Sequence, residues 1–232
     1  EQEGDIISYL TPEGPVVKIS NRYRDMLHKR WENTLIVKLW GRNIGYRTLC
    51  NRLPNLWQLK ESVRVEDLEN NFYFVRFQSR HDYMKALTDG PWIVLGHYLT
   101  VEPWRPQFNP ITHKVTSIVA WVQIPNLSSE LLQAVCNEIG RLVRLDHNTE
   151  EALRGRYARV ALEIDLSKPL QSQVFVDNTW YNISYENIPD ICFECGLVGH
   201  VLSACPQHVQ SSMTPDAVQV NSLPTVNQQI ED

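Results

Sequence analysis

The sequence predicts an α+β fold in which two sandwich-like units in series are followed by a small metal-stabilised knuckle. Three observations predict it. Between residues 34 and 101 the apolar pattern alternates between period 2 and period 3.6, in the order strand, helix, strand, strand, helix, strand. After residue 116 a shorter set repeats the opening of that order. Three of the five cysteines then crowd with a histidine into residues 192–205.

The elements follow in chain order. Residues 1–17 hold four acids, two prolines and two glycines and read as a loose acidic leader. Ser20 or Asn21 caps a short helix that carries Tyr23, Leu27 and Trp31 along one side. Residues 34–40 form a β-type apolar run closed by Gly41. Tyr46, Leu49, Cys50 and Leu53 recur at helical spacing until Pro54 interrupts them. Residues 62–65 and 71–77 read as two strands joined by an acidic turn. Ser79 and Asp82 make a capping pattern ahead of Tyr83, Met84 and Leu87, a helix that Gly90 and Pro91 stop. Residues 92–101 close the unit as a strand pair around Gly96. This order is that of a ferredoxin-type sandwich spanning residues 18–104 with its N-terminal helix.

Two prolines mark residues 105–116 as a linker. The second, smaller α+β unit occupies residues 117–189. It has a strand at 118–124, a helix capped by Ser128 or Ser129 with Leu131, Leu132, Val135 and Ile139, and a long strand at 156–166. A hairpin, 174–176 with 181–185, stands where the first unit has its second helix. Residues 190–206 form the knuckle, and residues 207–232 are polar without an apolar period, the pattern of a disordered tail.

Charge is segregated. Residues 18–60 hold ten Lys/Arg against two Asp/Glu, while the whole chain carries a net charge of −5. Lys38, Arg42 and Arg47 lie in that basic stretch, which suits phosphate contacts, or else a solvated helix face. No apolar stretch approaches a membrane span, and residues 1–5 show no signal-peptide pattern. Clustered cysteines suit a reducing intracellular compartment, nucleus or cytoplasm. Cys50 and Cys136 sit in apolar helical patterns, as small core residues do.

Cys192, Cys195, His200 and Cys205 make C-x2-C-x4-H-x4-C. Three thiolates and an imidazole are the ligand set of one structural Zn2+. So short a segment buries no core, so metal binding must supply its folding free energy, about 10–16 kcal/mol in zinc-finger peptides. The pattern resembles the zinc knuckle of retroviral and retrotransposon nucleocapsid-type proteins, whose role is binding single-stranded nucleic acid. The resemblance makes Phe193 a base-stacking residue and Leu197 a second candidate contact. The basic residue usual beyond the histidine is absent: residues 201–204 are Val, Leu, Ser and Ala.

Residues 70–77 (NNFYFVRF) resemble the aromatic octapeptide on the third strand of RNA-recognition motifs. Alternation sends Phe72, Phe74 and Arg76 to one face and Tyr73, Val75 and Phe77 to the other. The resemblance puts the first set against RNA. The alternative is that Phe72 and Phe74 pack under the second unit or the N-terminal helix. Asn70 and Asn71 stand where a basic residue and a glycine are usual, and Ile36 and Lys38 stand on the first strand where a platform aromatic is expected.

Taken in order, WENTLIVK (31–38), LW (56–57), GPW (90–92), AWVQIP (120–125), GRYARV (155–160), DLSKPL (165–170) and YENIP (185–189) resemble a plant family of unknown-function domains. That family occurs in the first reading frame of LINE-type non-LTR retrotransposons and in derived proteins. The resemblance implies a gag-like protein that coats RNA and can self-associate. It implies no catalysis, no small-molecule substrate and no membrane. No G-x-S-x-G, H-E-x-x-H or phosphate-cradling loop is present, and Asp146-x-Asn148-x-Glu150 lacks the glycine and glutamate of a calcium loop. Arg156 and Arg159 point to opposite faces of one strand, and one of them is expected to pair with Glu163, Asp165 or the sheet edge. The rival function is a domesticated protein–protein adaptor with a structural zinc knuckle.

Overall fold

The computed structural model describes residues 4–125, 127–150, 157–189, 191–192 and 194–206. The disordered-tail expectation for residues 207–232, Phe193 and Arg156 all lie outside these residues. Among the described residues no helix is long and apolar enough to cross a membrane.

The leader departs from expectation. β1 (Ile6–Thr11) and β2 (Gly14–Ile19) form an antiparallel hairpin, with Ile6 opposite Ile19 and Thr11 opposite Gly14. Both strands are largely exposed and show no clean alternation, and one of the leader's acids is structural. Asp5 is buried, accepts from the Ser20 hydroxyl at 2.8 Å and pairs with Arg22, which ties the hairpin to α1 (Asn21–Lys29). Ser20 caps α1 by accepting from the Tyr23 amide.

The first unit continues with β3 (Thr34–Leu39), α2 (Tyr46–Trp57), β4 (Val63–Asp67), β5 (Phe72–Phe77), α3 (Arg80–Thr88), β6 (Trp92–Val94) and β7 (His97–Pro103). The sheet runs β4-β5-β3-β7-β6, antiparallel throughout, which is the strand order of an RNA-recognition-motif-like sandwich with its last strand doubled. Helix α2 passes through Pro54 rather than stopping there. A proline inside a helix costs about 3 kcal/mol. Continuing for one more turn buries Trp57 completely against Phe77 and Trp92, which offsets that cost. Alternation in β3 and β5 puts Leu35, Val37, Leu39, Tyr73, Val75 and Phe77 under α2 and α3, in one core with Leu49, Leu53 and Trp57. Cys50 is only half-buried, because it sits on the flank of α2 rather than on its core stripe.

The second unit comprises β8 (Ser117–Pro125), α4 (Ser129–Ile139), β9 (Arg141–Leu145), α5 (His147–Glu150), β10 (Tyr157–Asp165), β11 (Gln173–Val176), β12 (Thr179–Asn182) and β13 (Ser184–Tyr185). Its main sheet runs β13-β8-β10-β9. That is the first unit's strand order again, with the β11–β12 hairpin in place of the second helix. β9 escaped the sequence reading because arginines flank its few apolar residues. It is held by pairing with β10, not by burial of its own, and the register shifts between Ala161 and Leu162.

The two units share a seam. The Tyr98 hydroxyl, from β7, donates to the Glu186 carbonyl at 2.8 Å and accepts from the Trp121 amide at 2.9 Å. Tyr98 is buried in the second unit's core cluster, against which Trp40 and Ile93 of the first unit also pack. Burial pushes its phenol up to about 12.

Candidate metal centre and nucleic-acid interface

The knuckle is assembled by backbone bonds around its ligands. The Gly196 amide donates to the Cys192 carbonyl at 2.8 Å, and the Cys192 amide to the Leu197 carbonyl at 2.9 Å. Ile191 bridges to Val198. Gly196 and Gly199 take φ of +72° and +99°, the left-handed region that side chains resist, and so reverse the chain before His200. A short 3-10 turn at Leu202–Ala204 then returns Cys205 to the centre. The Leu170 amide donates to the Gly196 carbonyl at 2.9 Å, and Pro169 fills the space a Cβ at Gly196 would need, so the knuckle is seated on the second unit.

The ligand atoms of Cys192, Cys195, His200 and Cys205 all lie within 4.8 Å of one another. A tetrahedral site with metal–sulfur bonds of about 2.3 Å places its sulfurs roughly 3.8 Å apart, so the four residues fit one metal ion. His200 offers Nε2, 3.3 Å from the Cys195 sulfur. The Cys195 amide, helped by that of Glu194, overcomes the effect of burial and lowers the Cys192 thiol to about 6. At Cys195 the Leu197 amide works in the same direction, but burial and the neighbouring Cys192 and Cys205 sulfurs outweigh it and raise the thiol above its ordinary value. Thiols crowded this way ionise one against another, and a bound cation removes that conflict.

The octapeptide strand meets a different fate from that of an open platform. Phe72, Phe74 and Arg76 do share the face of β5 away from α2 and α3, beside Ile36 and Lys38 of β3. That face is covered by the protein itself. The segment 104–113 crosses it as a strap whose Phe108 ring stands edge-on to Phe72 at 5.2 Å and tilted to Phe74 at 5.9 Å. Trp31, in the turn after α1, meets Phe74 at 5.3 Å and stacks on Trp104 at 5.5 Å. His113 packs on Phe72, with Nε2 3.2 Å from a Glu102 carboxylate oxygen, and the Asn70 side chain donates to the Pro110 carbonyl at 2.9 Å.

Phe72 is consequently 1% exposed. Lys38 lies 4.4 Å above its ring, and burial lowers that amine's pKa. The Arg76 guanidinium lies 4.3 Å over Trp31 and reaches Glu66 at 3.6 Å. Phe72 is therefore corrected from a nucleic-acid contact to a partner of the strap, whereas Phe74, Arg76 and Lys38 are half-buried and keep part of their surface open. The expected linker 105–116 is corrected likewise: its first nine residues lie in the strap and carry Phe108 onto the sheet. The one signal for this in the sequence is a lone phenylalanine between two prolines.

Arg42 and Arg47 are exposed and make no ion pair among the described residues. Leu197 is half-buried in the knuckle turn. Arg159 is paired as expected at the sheet edge, not with Glu163 or Asp165 but with acids just past the edge strands β13 and β9. It lies 3.9 Å over the Trp121 ring, grips Glu186 through two bonds of 2.8 and 2.7 Å, and reaches Asp146 at 3.0 Å. Glu163 stands four residues along the same strand, about 13 Å away, and binds Arg141 instead. Asp165 is taken by Ser167 and Lys168. The sequence reading also missed an aromatic pair on the β11–β12 hairpin. Phe175 and Trp180 face each other across the strands at 5.1 Å, 52% and 64% exposed.

No curated protein matches the chain. Among solved structures, the RNA-binding domain of Hrp1 in complex with RNA is 6% identical and has a TM-score of 0.27, covering 66% of this chain and 96% of that one. RNA-recognition domains 1 and 2 of Sex-lethal from Drosophila melanogaster are 19% identical, with a TM-score of 0.24, covering 56% and 84%. The first two such domains of yeast poly(U)-binding protein Pub1 are 12% identical, with a TM-score of 0.24, covering 66% and 98%. Residues 27–111 match the family described as Domain of unknown function (DUF4283), a match that runs past residue 104 into the strap laid on the sheet.

Proposed function

We propose that this chain is a zinc-dependent, non-enzymatic protein that binds single-stranded RNA, of the gag-like type found in retrotransposons, and that it works in the nucleus or cytoplasm. The observation that carries the reading is the gathering of Cys192, Cys195, His200 and Cys205 within 4.8 Å in a knuckle seated on the second sandwich unit. Zinc is the ion that suits three thiolates and an imidazole in a closed site. Its role here is to hold the knuckle turn in shape, which fixes where Leu197 and the residues around it meet a strand. The exposed aromatic pair at Phe175 and Trp180 supplies a further stacking surface, each stacked base being worth roughly 1–3 kcal/mol.

The buried state of Phe72 favours a second reading, a protein–protein adaptor with a structural knuckle. The experiment separates the two. Metal is counted by elemental mass spectrometry, and single-stranded RNA is titrated at several salt concentrations. The proposal expects one zinc per chain and an affinity that falls as salt rises. It also expects His200→Ala to lose the metal, and most RNA binding with it, while the two units stay folded. No RNA binding even in dilute salt, with zinc at full stoichiometry, replaces the proposal by the adaptor.

A further inference from the structure

A zinc knuckle that binds RNA needs positive charge, and this one has none of its own. Residues 191–206 contain no Lys or Arg, and Glu194 adds an acid. With a divalent ion held by three thiolates the knuckle is net negative, so it repels a phosphate chain. The neighbouring cation on the second unit, Lys168, is 3.4 Å from Asp165 and largely neutralised.

The fold brings a different part of the chain to the knuckle's entrance. Gly41, at the end of β3, takes φ of +73°, and a Cβ there would stand 3.3 Å from both the Pro189 ring and His97. Pro189 is three residues from Cys192, at most about 11 Å of chain. Trp40, just before Gly41, packs in the same core cluster as Ile188, and the Tyr98 hydroxyl holds the Glu186 carbonyl. The knuckle's far side is seated by Leu170 and Pro169 on Gly196. The loop that starts at Gly41 is thus fixed beside the segment leading into the knuckle. It carries Arg42 and leads to Arg47 on the first turn of α2, both exposed and without an ion pair among the described residues.

We infer that Arg42 and Arg47 form, together with the knuckle, one composite site for the phosphodiester backbone of single-stranded RNA. This rests on the reading above. The first unit neutralises phosphates while the knuckle engages bases, which divides between two parts of the fold what a basic knuckle does alone. It also gives the basic stretch of an acidic chain a definite place to act.

The test compares the salt dependence of single-stranded RNA binding in the zinc-loaded full chain, the Arg42→Gln/Arg47→Gln variant, and a control in which exposed Lys29 and Arg30, the last residue of α1 and the one after it, become Gln. Each phosphate contact contributes about 0.7 to the log–log slope for a single strand. The arginine variant should lose about 1.4 of slope with zinc content and melting temperature unchanged, and the control should lose none. The Arg42→Lys/Arg47→Lys variant should keep the wild-type slope, since it keeps both charges. Combined with His200→Ala, the arginine variant should lose less affinity than the product of the two separate fold-losses, because both changes act on one site. An unchanged slope in the arginine variant, an equal loss in the control, or separate losses that simply multiply would overturn the composite site while leaving RNA binding intact. Wild-type protein that binds no RNA at any salt overturns the functional reading and the site together.

Discussion

Asp82 shows how one side chain can hold a turn together. It lies 1% exposed at the start of α3, and its Oδ2 accepts from the amides of Lys60 at 2.9 Å and Glu61 at 3.0 Å, the segment just after α2. Burial on its own favours the neutral acid. The Glu61 and Lys60 amides together with His81 outweigh it and hold the carboxyl below the ordinary Asp range. A carboxyl depressed by folding stabilises the native state above the unfolded-state pKa, near 4, and that contribution fades as pH falls through the folded value. Asp82→Asn should therefore lower the melting temperature at neutral pH, and the gap from wild type should close in acid. A gap of constant size from pH 7 to pH 2 would mean that shape, not charge, explains the site. In the sequence Asp82 read only as the far end of a capping pattern. Its bonds to residues 60 and 61 join helices that no local pattern relates.

At the scale of elements, what the sequence made legible divides by range. α3, β5 and the Cys/His cluster were readable because a cap, a two-residue period and a ligand-like spacing are all local. The β1–β2 hairpin was not, because its strands bury little and so carry no clean two-residue period. The path of α2 through Pro54 depends on the burial of Trp57 by β5 and β6. The octapeptide itself was legible, but the covering of its outer face was decided by Phe108, some thirty residues later in a segment read as a linker. Phe72→Ala removes a buried ring from between the sheet and the strap, and large-to-small changes of that kind cost about 3–5 kcal/mol. The expected result is a large drop in melting temperature. RNA affinity measured on the folded fraction should be unchanged. Reduced affinity with unchanged stability would instead return Phe72 to an open binding face.

For the whole molecule, the seam at Tyr98 decides how the parts behave together. Its hydroxyl satisfies a donor on β8 and an acceptor just after β13, so the first unit completes the hydrogen bonding of the second. Tyr98→Phe keeps the ring and leaves the Trp121 amide and the Glu186 carbonyl without that partner, a loss of about 1–3 kcal/mol. Calorimetry should show one shared transition in the wild type, split into two in the variant. Wild-type units that already melt separately would refute a shared seam. The same hydroxyl has a consequence for engineering. Cutting away the first half takes that hydroxyl from two backbone groups of the second, whereas cutting away the second removes the partners of one side chain only. A second half made alone would have to find water, or a newly introduced side chain, to stand in for a single oxygen.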